Sequence, residues 1–534
     1  MSILYLNLLV IIILVILFVI PAYKISLLKD FSLFGSFIVF VISLSLLIKP
    51  YPIATGVFYP YEIGFYPIIN IPGFSVSYSY FVDDLSVVFI ILTSLLTIMV
   101  VMTSRTIKYR LKEKFILLFL TEILLFNTFS TTEILLFYVF FEAILIPIFL
   151  IIGIWGSKRD KVFAANQFFL YTLFGSFFML TGIILLYLFV GTTNIIALKG
   201  LVLHPTLEKT IFILFFISFL IKIPSIPFHL WLPQAHVEAP TSGSILLAGI
   251  LLKLGSYGFL RFLVFLFPLA SNYFLPLIFT IAIISIIFSS VTILRQTDLK
   301  RIIAYSSISH MNFLMGALFA NNLTAITGSL LLQVAHGLSS GALFFLVGIL
   351  YDRYKTRNIF YYGGLSTLLP FFCFFLFIFS LANLGFPLTL NFVSEMLILI
   401  GLFSSLPSIA ILTLIGVFFS AIYSFMMATR LLFGPSSPYI NYYFDITRRE
   451  FYILTPIAIL VLILGLTPTF LSSIWDAFLQ IWFSPTYSDY YNIQSIIYPR
   501  HPRHTRTPEM PLTYEQVDFM LELFERERGR LASF

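Results

Sequence analysis

Seven ionisable side chains fall near the middle of long apolar stretches in this sequence: Glu122, Glu142, Lys222, Lys253 and Glu395, with His310 and His336. His229, His236 and Glu238 gather where the stretch holding Lys222 ends. Carboxylate, ammonium and imidazole groups at similar depth, with water between them, can hand protons from one to the next. A charge at the centre of a membrane helix costs about 2.5–3.5 kcal/mol on insertion scales. Singly, each residue has a plainer reading. A buried histidine is more often a hydrogen-bonded core residue than a proton carrier, and a Glu–Lys pair can merely neutralise itself. Seven such groups on seven different helices are harder to dismiss, and the set reads as an ion path. Glu142, Lys222, Lys253, His310, His336, Glu395, Glu122 and His229 are the candidate path residues.

The elements that must hold these groups are membrane helices. Hydrophobic residues make up 60% of the 534 and charged residues 10%, with mean hydropathy +1.02. Soluble domains carry roughly 25% charged residues, so hydrocarbon is the main solvent for this chain. A bilayer core needs about 20 apolar residues per helix. A membrane barrel would show short alternating segments, whereas the apolar runs here are continuous. The fold class expected is therefore an all-α polytopic membrane protein with about fourteen transmembrane helices. The spans fall near 4–20, 31–48, 82–103, 115–130, 134–153, 163–190, 210–232, 241–262, 272–294, 302–320, 323–350, 366–402, 408–432 and 451–473. The first reads as a membrane helix rather than a signal peptide or an Arg-rich transit peptide. A single cysteine, Cys373, excludes intrachain disulfides, cysteine-ligated clusters and Cys-based zinc sites.

Helices seven and twelve are irregular: one contains Pro224, Pro227 and Pro233, the other Gly385 followed by Pro387. Proline inside a span removes a backbone bond and is tolerated where neighbours or water re-satisfy the carbonyl. Helices four to eight and nine to thirteen thus each carry one broken helix in fourth place. With five spans per unit, the two units are expected to be inverted repeats, a transporter design. The expected divisions are 1–103 for the first three helices, 104–433 for the two repeats, 434–486 for helix fourteen and its flank, and 487–534 for a hydrophilic tail.

Orientation follows from basic residues. Connections on one side hold nineteen, among them Lys114, Lys300 and Arg357, and the other side holds Lys49, Lys199, Lys209 and Arg261. Only Lys222 and Lys253 are then left within spans. This bias accounts for the net charge of +7 without a nucleic-acid partner. Both termini are expected on the side opposite the nineteen. The tail holds six arginines and could form a short amphipathic helix over 513–528; its two readings are a solvated tail and a clasp on a neighbouring subunit. Phe occurs 63 times and Trp 4 times, a bias that an AT-rich organelle genome would produce.

The stretch around Lys222 reads Lys222-Ile-Pro-Ser-Ile-Pro-Phe-His229-Leu-Trp-Leu-Pro-Gln-Ala-His236-Val-Glu238-Ala-Pro, and continues to Leu-Leu-Lys253-Leu-Gly-Ser-Tyr-Gly. Leu-Phe-Tyr-Val-Phe-Phe-Glu142-Ala-Ile-Leu-Ile-Pro precedes it. Gln296-Thr-Asp-Leu-Lys-Arg-Ile-Ile-Ala-Tyr-Ser-Ser-Ile-Ser-His310-Met and Ala335-His336-Gly-Leu follow. This order strongly resembles the chain 4 family of the proton-pumping NADH:ubiquinone oxidoreductase, respiratory complex I. The resemblance covers about 100 to 475. It implies an antiporter-like, proton-translocating subunit of the membrane arm, in which the positions of Glu142 and Lys222 pair. Lys253 then stands at the half-channel junction, and His310, His336 and Glu395 continue the path. Glutamate at position 395 matches chain 4, where sister chains 2 and 5 have lysine, and Glu122 matches a carboxylate of bacterial and plant-like relatives. The resemblance further implies the mitochondrial inner membrane, or alternatively a bacterial plasma membrane. The expected partners are chains 2 and 5, membrane lipids, and accessory subunits reached through the tail. NADH, FMN, iron–sulfur clusters and ubiquinone are expected in other subunits, with no cofactor in this chain. A subunit of a multi-subunit cation/proton antiporter, which shares these motifs, is the alternative. A membrane scaffold is the other: there the buried charges could be neutralised without loss.

Overall fold

The computed structural model describes residues 3–47, 63–71, 74–158, 160–199, 201, 203–440 and 443–482. The expected amphipathic helix and clasp of the tail lie outside the described residues. Up to Trp482 the residues form one compact unit. Its main helices are α1 (Ile3–Val19), α2 (Ile25–Leu44), α3 (Asp84–Ser104), α4 (Leu111–Ser130), α5 (Ile134–Trp155) and α6 (Lys161–Val190). Then come α7a (Pro205–Lys222), α7b (Trp231–Glu238), α8 (Thr241–Val264), α9 (Leu275–Ile293), α10 (Leu299–Leu318) and α11 (Leu323–Tyr354). The series ends with α12a (Pro370–Leu384), α12b (Leu390–Ser405), α13 (Pro407–Leu432), α14 (Arg448–Leu466) and α15 (Thr469–Trp482). Among the described residues, nine helices are long and apolar enough to cross a membrane, and α1, α12a and α12b are shorter apolar helices.

Local chemistry fixes the ends. Asp83 caps α3 in a reciprocal box with Ser86, and Thr447 does the same for α14 with Glu450. Asp298 and Asn322 cap α10 and α11 through their side chains. Pro205, Pro370 and Pro407 open α7a, α12a and α13, where the missing N–H costs nothing. Gly191 closes α6 in the left-handed region.

Helices seven and twelve are interrupted where their Pro and Gly residues predict. The break after Lys222 has no glycine, and neighbouring side chains take up its free backbone groups. The Ser225 hydroxyl donates to the Leu220 carbonyl (3.0 Å), and the Trp231 indole to that of Ile221 (2.9 Å). Asn312 donates to the Pro224 carbonyl (3.2 Å), and the Ile226 amide donates to Ser285 Oγ (2.9 Å). In helix twelve Gly385 adopts φ +78°. The amides of Gly385 and Phe386 turn back to the carbonyls of Ala382 and Leu381, both at 3.0 Å, and Thr389 caps the new start. A Cβ on Gly385 would stand 2.5 Å from Glu395 Oε2, so the glycine serves both the turn and the carboxylate.

α8 and α11 are buried along the whole of their apolar stretch and form the centre. They approach closely because two glycines face each other: a Cβ on Gly337 would lie 3.0 Å from the Gly249 carbonyl oxygen. Gly255 likewise lets α8 rest on the end of α7a, where a Cβ would lie 2.7 Å from Ile223 Cγ1 and 3.2 Å from Lys222 Cβ. Small residues at helix contacts are the usual means of close packing in membranes.

The expected helical membrane fold holds, with one addition: β1 (Ile63–Ile71) and β2 (Phe74–Phe81) pair antiparallel between α2 and α3. The stretch Phe-Ser-Val-Ser-Tyr-Ser-Tyr-Phe alternates with period two, which is a strand signal. Finer expectations are corrected. The run expected over 451–473 ends at Leu466, and after Pro468 a separate helix, α15, begins. Lys222 and Lys253 are not the only interior cations. Lys114, Lys300, Arg261 and Arg357 are all at most 5% exposed. Arg261 pairs with Asp83 at 2.5 Å, and Arg357 lies between Asp298 (3.6 Å) and Glu238 (3.9 Å). These residues sit near helix ends, where sequence distance from an apolar run says nothing of what packs over them.

Candidate functional site

Glu142 lies on α5, and Pro147 follows it by five residues. Without an N–H, Pro147 cannot donate to the Ala143 carbonyl, and α5 is locally irregular at Ile144, two residues after Glu142. Glu142 Oε1 has no hydrogen-bond partner. Tyr138, Ser176 and Lys222 surround the carboxylate. A groove of about 840 Å³, lined in part by Tyr138, Ser176, Pro227 and Phe228, opens beside it. Lys222, the last residue of α7a, places its ammonium 4.2 Å above the Phe141 ring. Lys222 thus lies within electrostatic reach of Glu142 without forming an ion pair with it, seated on the aromatic neighbour of the carboxylate.

Lys253 is fully buried on α8, between two π-helical turns, Leu247–Leu251 and Phe259–Val264. Such turns frequently mark functional sites in helices. Its Nζ donates back to the Ala248 carbonyl (2.5 Å) and lies 2.9 Å from His336 Nδ1. With Lys253 as an ammonium, Nδ1 accepts and the imidazole carries its proton on Nε2; with Lys253 as an amine, the roles can reverse. His336 Nε2 has no hydrogen-bond partner. The His310 ring lies 5.7 Å from that of His336, centroid to centroid. Beyond it, His310 Nε2 stands 3.5 Å from Glu395 Oε1. The structure therefore brings Lys253, His336, His310 and Glu395 into one buried line crossing α8, α11, α10 and α12b.

Glu122 and His229, like Glu142 and Lys222, stand apart from that line. Glu122 is fully buried on α4 and accepts from Thr97 Oγ1 at 2.8 Å. His229 sits in the break of helix seven beside Phe288 and Tyr305, its Nδ1 unpartnered. The path residues named from sequence omit His236 and Lys300. His236 is stacked flat on Phe344, with ring centroids 4.4 Å apart and neither nitrogen hydrogen-bonded. Lys300 and Lys253 are its charged neighbours. The Lys300 ammonium donates to the Ala239 carbonyl at 2.7 Å. The clustering of His229, His236 and Glu238 was the available signal for His236; nothing in the hydropathy marks Lys300 as interior.

The profile of the NADH:quinone oxidoreductase/Mrp antiporter transmembrane family matches residues 131–422, more than half of the chain and the whole of the buried line. The chain belongs to that family. Every candidate path residue except Glu122 falls inside the matched stretch. The NADH-ubiquinone oxidoreductase chain 4 of Chondrus crispus is 46% identical over 462 residues, covering 86% of this chain and 93% of the relative. That of Prototheca wickerhamii is 43% identical over 84% and 88% of the two chains. Among solved structures, a chain of respiratory complex I from Thermus thermophilus superposes with a TM-score of 0.81 at 27% identity, over 90% of this chain and 99% of that one. As a member of the family this is a multi-pass membrane protein, and its broken helices and central α8 and α11 belong to a fold shared with that chain.

Proposed function

We propose that this chain is the antiporter-like subunit of the membrane arm of a proton-translocating NADH:ubiquinone oxidoreductase. It moves protons through Glu142, Lys222, Lys253, His336, His310 and Glu395 while electrons pass from NADH to ubiquinone in other subunits. The observation that carries this reading is the line from Lys253 to Glu395, four titratable groups in sequence inside an apolar core. An apolar surrounding disfavours the charged form of an ionisable side chain, and a neighbouring opposite charge favours it. At an effective dielectric of about 20, an ion pair near 4 Å is worth about 4 kcal/mol, or roughly three decades in a protonation equilibrium. Small movements of Glu142 relative to Lys222 are therefore enough to decide whether the lysine keeps its proton or passes it toward Lys253. Glu122 and His229 act as auxiliary groups at that end. NADH, FMN, iron–sulfur clusters and ubiquinone belong to other subunits, so this chain contributes to an enzyme without redox chemistry of its own.

The chain 4 relatives from Chondrus crispus and Prototheca wickerhamii are eukaryotic, which supports the mitochondrial inner membrane, with both termini on the side opposite the basic connections. Neighbours are the sister antiporter-like chains 2 and 5, and the tail is assigned to an accessory contact. The family also includes Mrp-type antiporters, so the assembly is the test. Blue-native electrophoresis with mass spectrometry of the surrounding complex is expected to recover redox subunits with this chain. Recovery of cation-antiporter subunits alone would overturn the proposal.

A further inference from the structure

Glu122 is served by one polar side chain. Its Oε2 has no hydrogen-bond partner, and Oε1 lies 2.8 Å from Thr97 Oγ1 of α3. The same Thr97 hydroxyl stands 2.8 Å from the Ser94 carbonyl, one turn back on its own helix. A threonine hydroxyl carries one hydrogen and two lone pairs, so it cannot donate to both. Two arrangements satisfy both distances. With Glu122 as a carboxylate, the hydrogen points to Oε1 and the Ser94 carbonyl goes without it. With Glu122 as an acid, the carboxyl O–H donates to Thr97 Oγ1, and the hydroxyl hydrogen turns to Ser94. The contact between the two side chains is therefore kept through gain and loss of a proton, with one hydroxyl rotation between the states. Glu122 is 0% exposed and Thr97 3%, so bulk solvent does not stand in for the hydroxyl. A carboxylate left there without a donor would bear its desolvation in full.

Helix α3 also reaches the centre of the bundle. Leu96, the neighbour of Thr97, fills the space in front of Gly249 on α8, where a Cβ would stand 2.5 Å from Leu96 Cδ1. Leu92 does the same at Gly337 on α11, at 3.2 Å. Those are the two helices that carry Lys253 and His336, so the Glu122 partner belongs to a helix packed against their contact. The family profile begins at residue 131, and both Thr97 and Glu122 lie before it. We propose that Thr97 is the positioning residue that lets Glu122 hold and release a proton, its hydroxyl turning between the carboxyl group and the Ser94 carbonyl. On release the carboxyl O–H bond breaks and its electron pair stays on the carboxylate. The proton forms an N–H bond on a path lysine in its amine form, and the Thr97 hydrogen rotates toward Oε1 with no bond made or broken in the threonine. Uptake reverses each step. Glu122 can then carry part of the load when Glu142 does not.

This inference rests on the proton-path reading. It is tested in the whole complex reconstituted into liposomes, with proton uptake referred to electrons passed and to assembled complex. Thr97→Val matches threonine in shape and removes the hydroxyl, whereas Thr97→Ser keeps the hydroxyl and removes the methyl group. In a Glu142→Gln background, Thr97→Val is expected to lower the remaining uptake by this chain roughly tenfold, the equivalent of one hydrogen bond to a charged group. Thr97→Ser should restore it. With Glu142 in place, Thr97→Val should shift the infrared carboxyl band that disappears in Glu122→Gln, and Thr97→Ser should return it. A packing role predicts the opposite order, with valine harmless and serine damaging. If Glu142→Gln leaves no uptake to measure, or a double variant fails to assemble, the band decides. Absence of a Glu122-dependent band, or a band that Thr97→Val leaves unmoved, overturns the role of Thr97 and leaves the path standing. Normal pumping in Glu122→Gln/Glu142→Gln overturns the path itself.

Discussion

Around Glu142, outside the buried line, the charges stand apart, with Lys222 resting on the Phe141 ring and Glu122 bonded to Thr97. From Lys253 to Glu395 the groups instead follow one another through a 2.9 Å hydrogen bond, a pair of neighbouring rings and a 3.5 Å approach. The first region borders an open groove and the breaks at Pro147 and after Lys222; the second is buried among α8, α10, α11 and α12b. Separated charges next to movable backbone suit a switch, where a small displacement changes which group holds the proton. Groups already in line suit conduction. The comparison teaches that control and transfer are placed in different parts of one helix bundle.

The largest effect is expected from Lys253→Met, which keeps the side-chain length and removes the ammonium where the two regions meet. Proton uptake assigned to this chain should vanish, measured as the proton-to-electron ratio of reconstituted complex; an unchanged ratio would mean that the two regions are not connected through Lys253. Gly385→Ala comes next. Its φ of +78° costs a side-chain-bearing residue ~1 kcal/mol or more, and the new Cβ would press on Glu395. Both the amount of assembled complex and the ratio per complex should fall, and a normal ratio would show that the Glu395 position is not critical. Arg261→Leu should affect translocation least. It strands Asp83 after breaking a buried pair, at a cost of about 3–5 kcal/mol, so thermal stability of the complex should drop while the ratio per assembled complex stays the same. Loss of pumping without loss of stability would place Arg261 on the path.

Much of this arrangement was legible in the sequence. Helix ends follow capping residues, and both breaks follow from Pro224, Pro227 and Gly385. Depth within an apolar run located each charge of the line. What hydropathy does not contain is the rotation of one helix against another. The contact of Lys253 with His336 depends on Gly249 and Gly337 letting α8 and α11 close together, and no linear spacing relates residues 83 positions apart. For the same reason Lys114, Lys300 and Arg357 read as loop cations, although neighbouring helix ends cover them. The hairpin over residues 63–81 carried a period-two signal that the surrounding apolar runs overshadowed.

The central claim, that these buried groups carry protons under control of the Glu142 end, is tested most directly by the Glu122→Gln/Glu142→Gln double variant. Both carboxylates must go, because Glu122 lies at similar depth on the adjacent helix and can take over in part. In intact complex, NADH oxidation with an artificial acceptor should persist, while the proton-to-electron ratio falls by the share this chain carries. A normal ratio in the double variant would contradict the account and favour a scaffold whose buried charges do no transport.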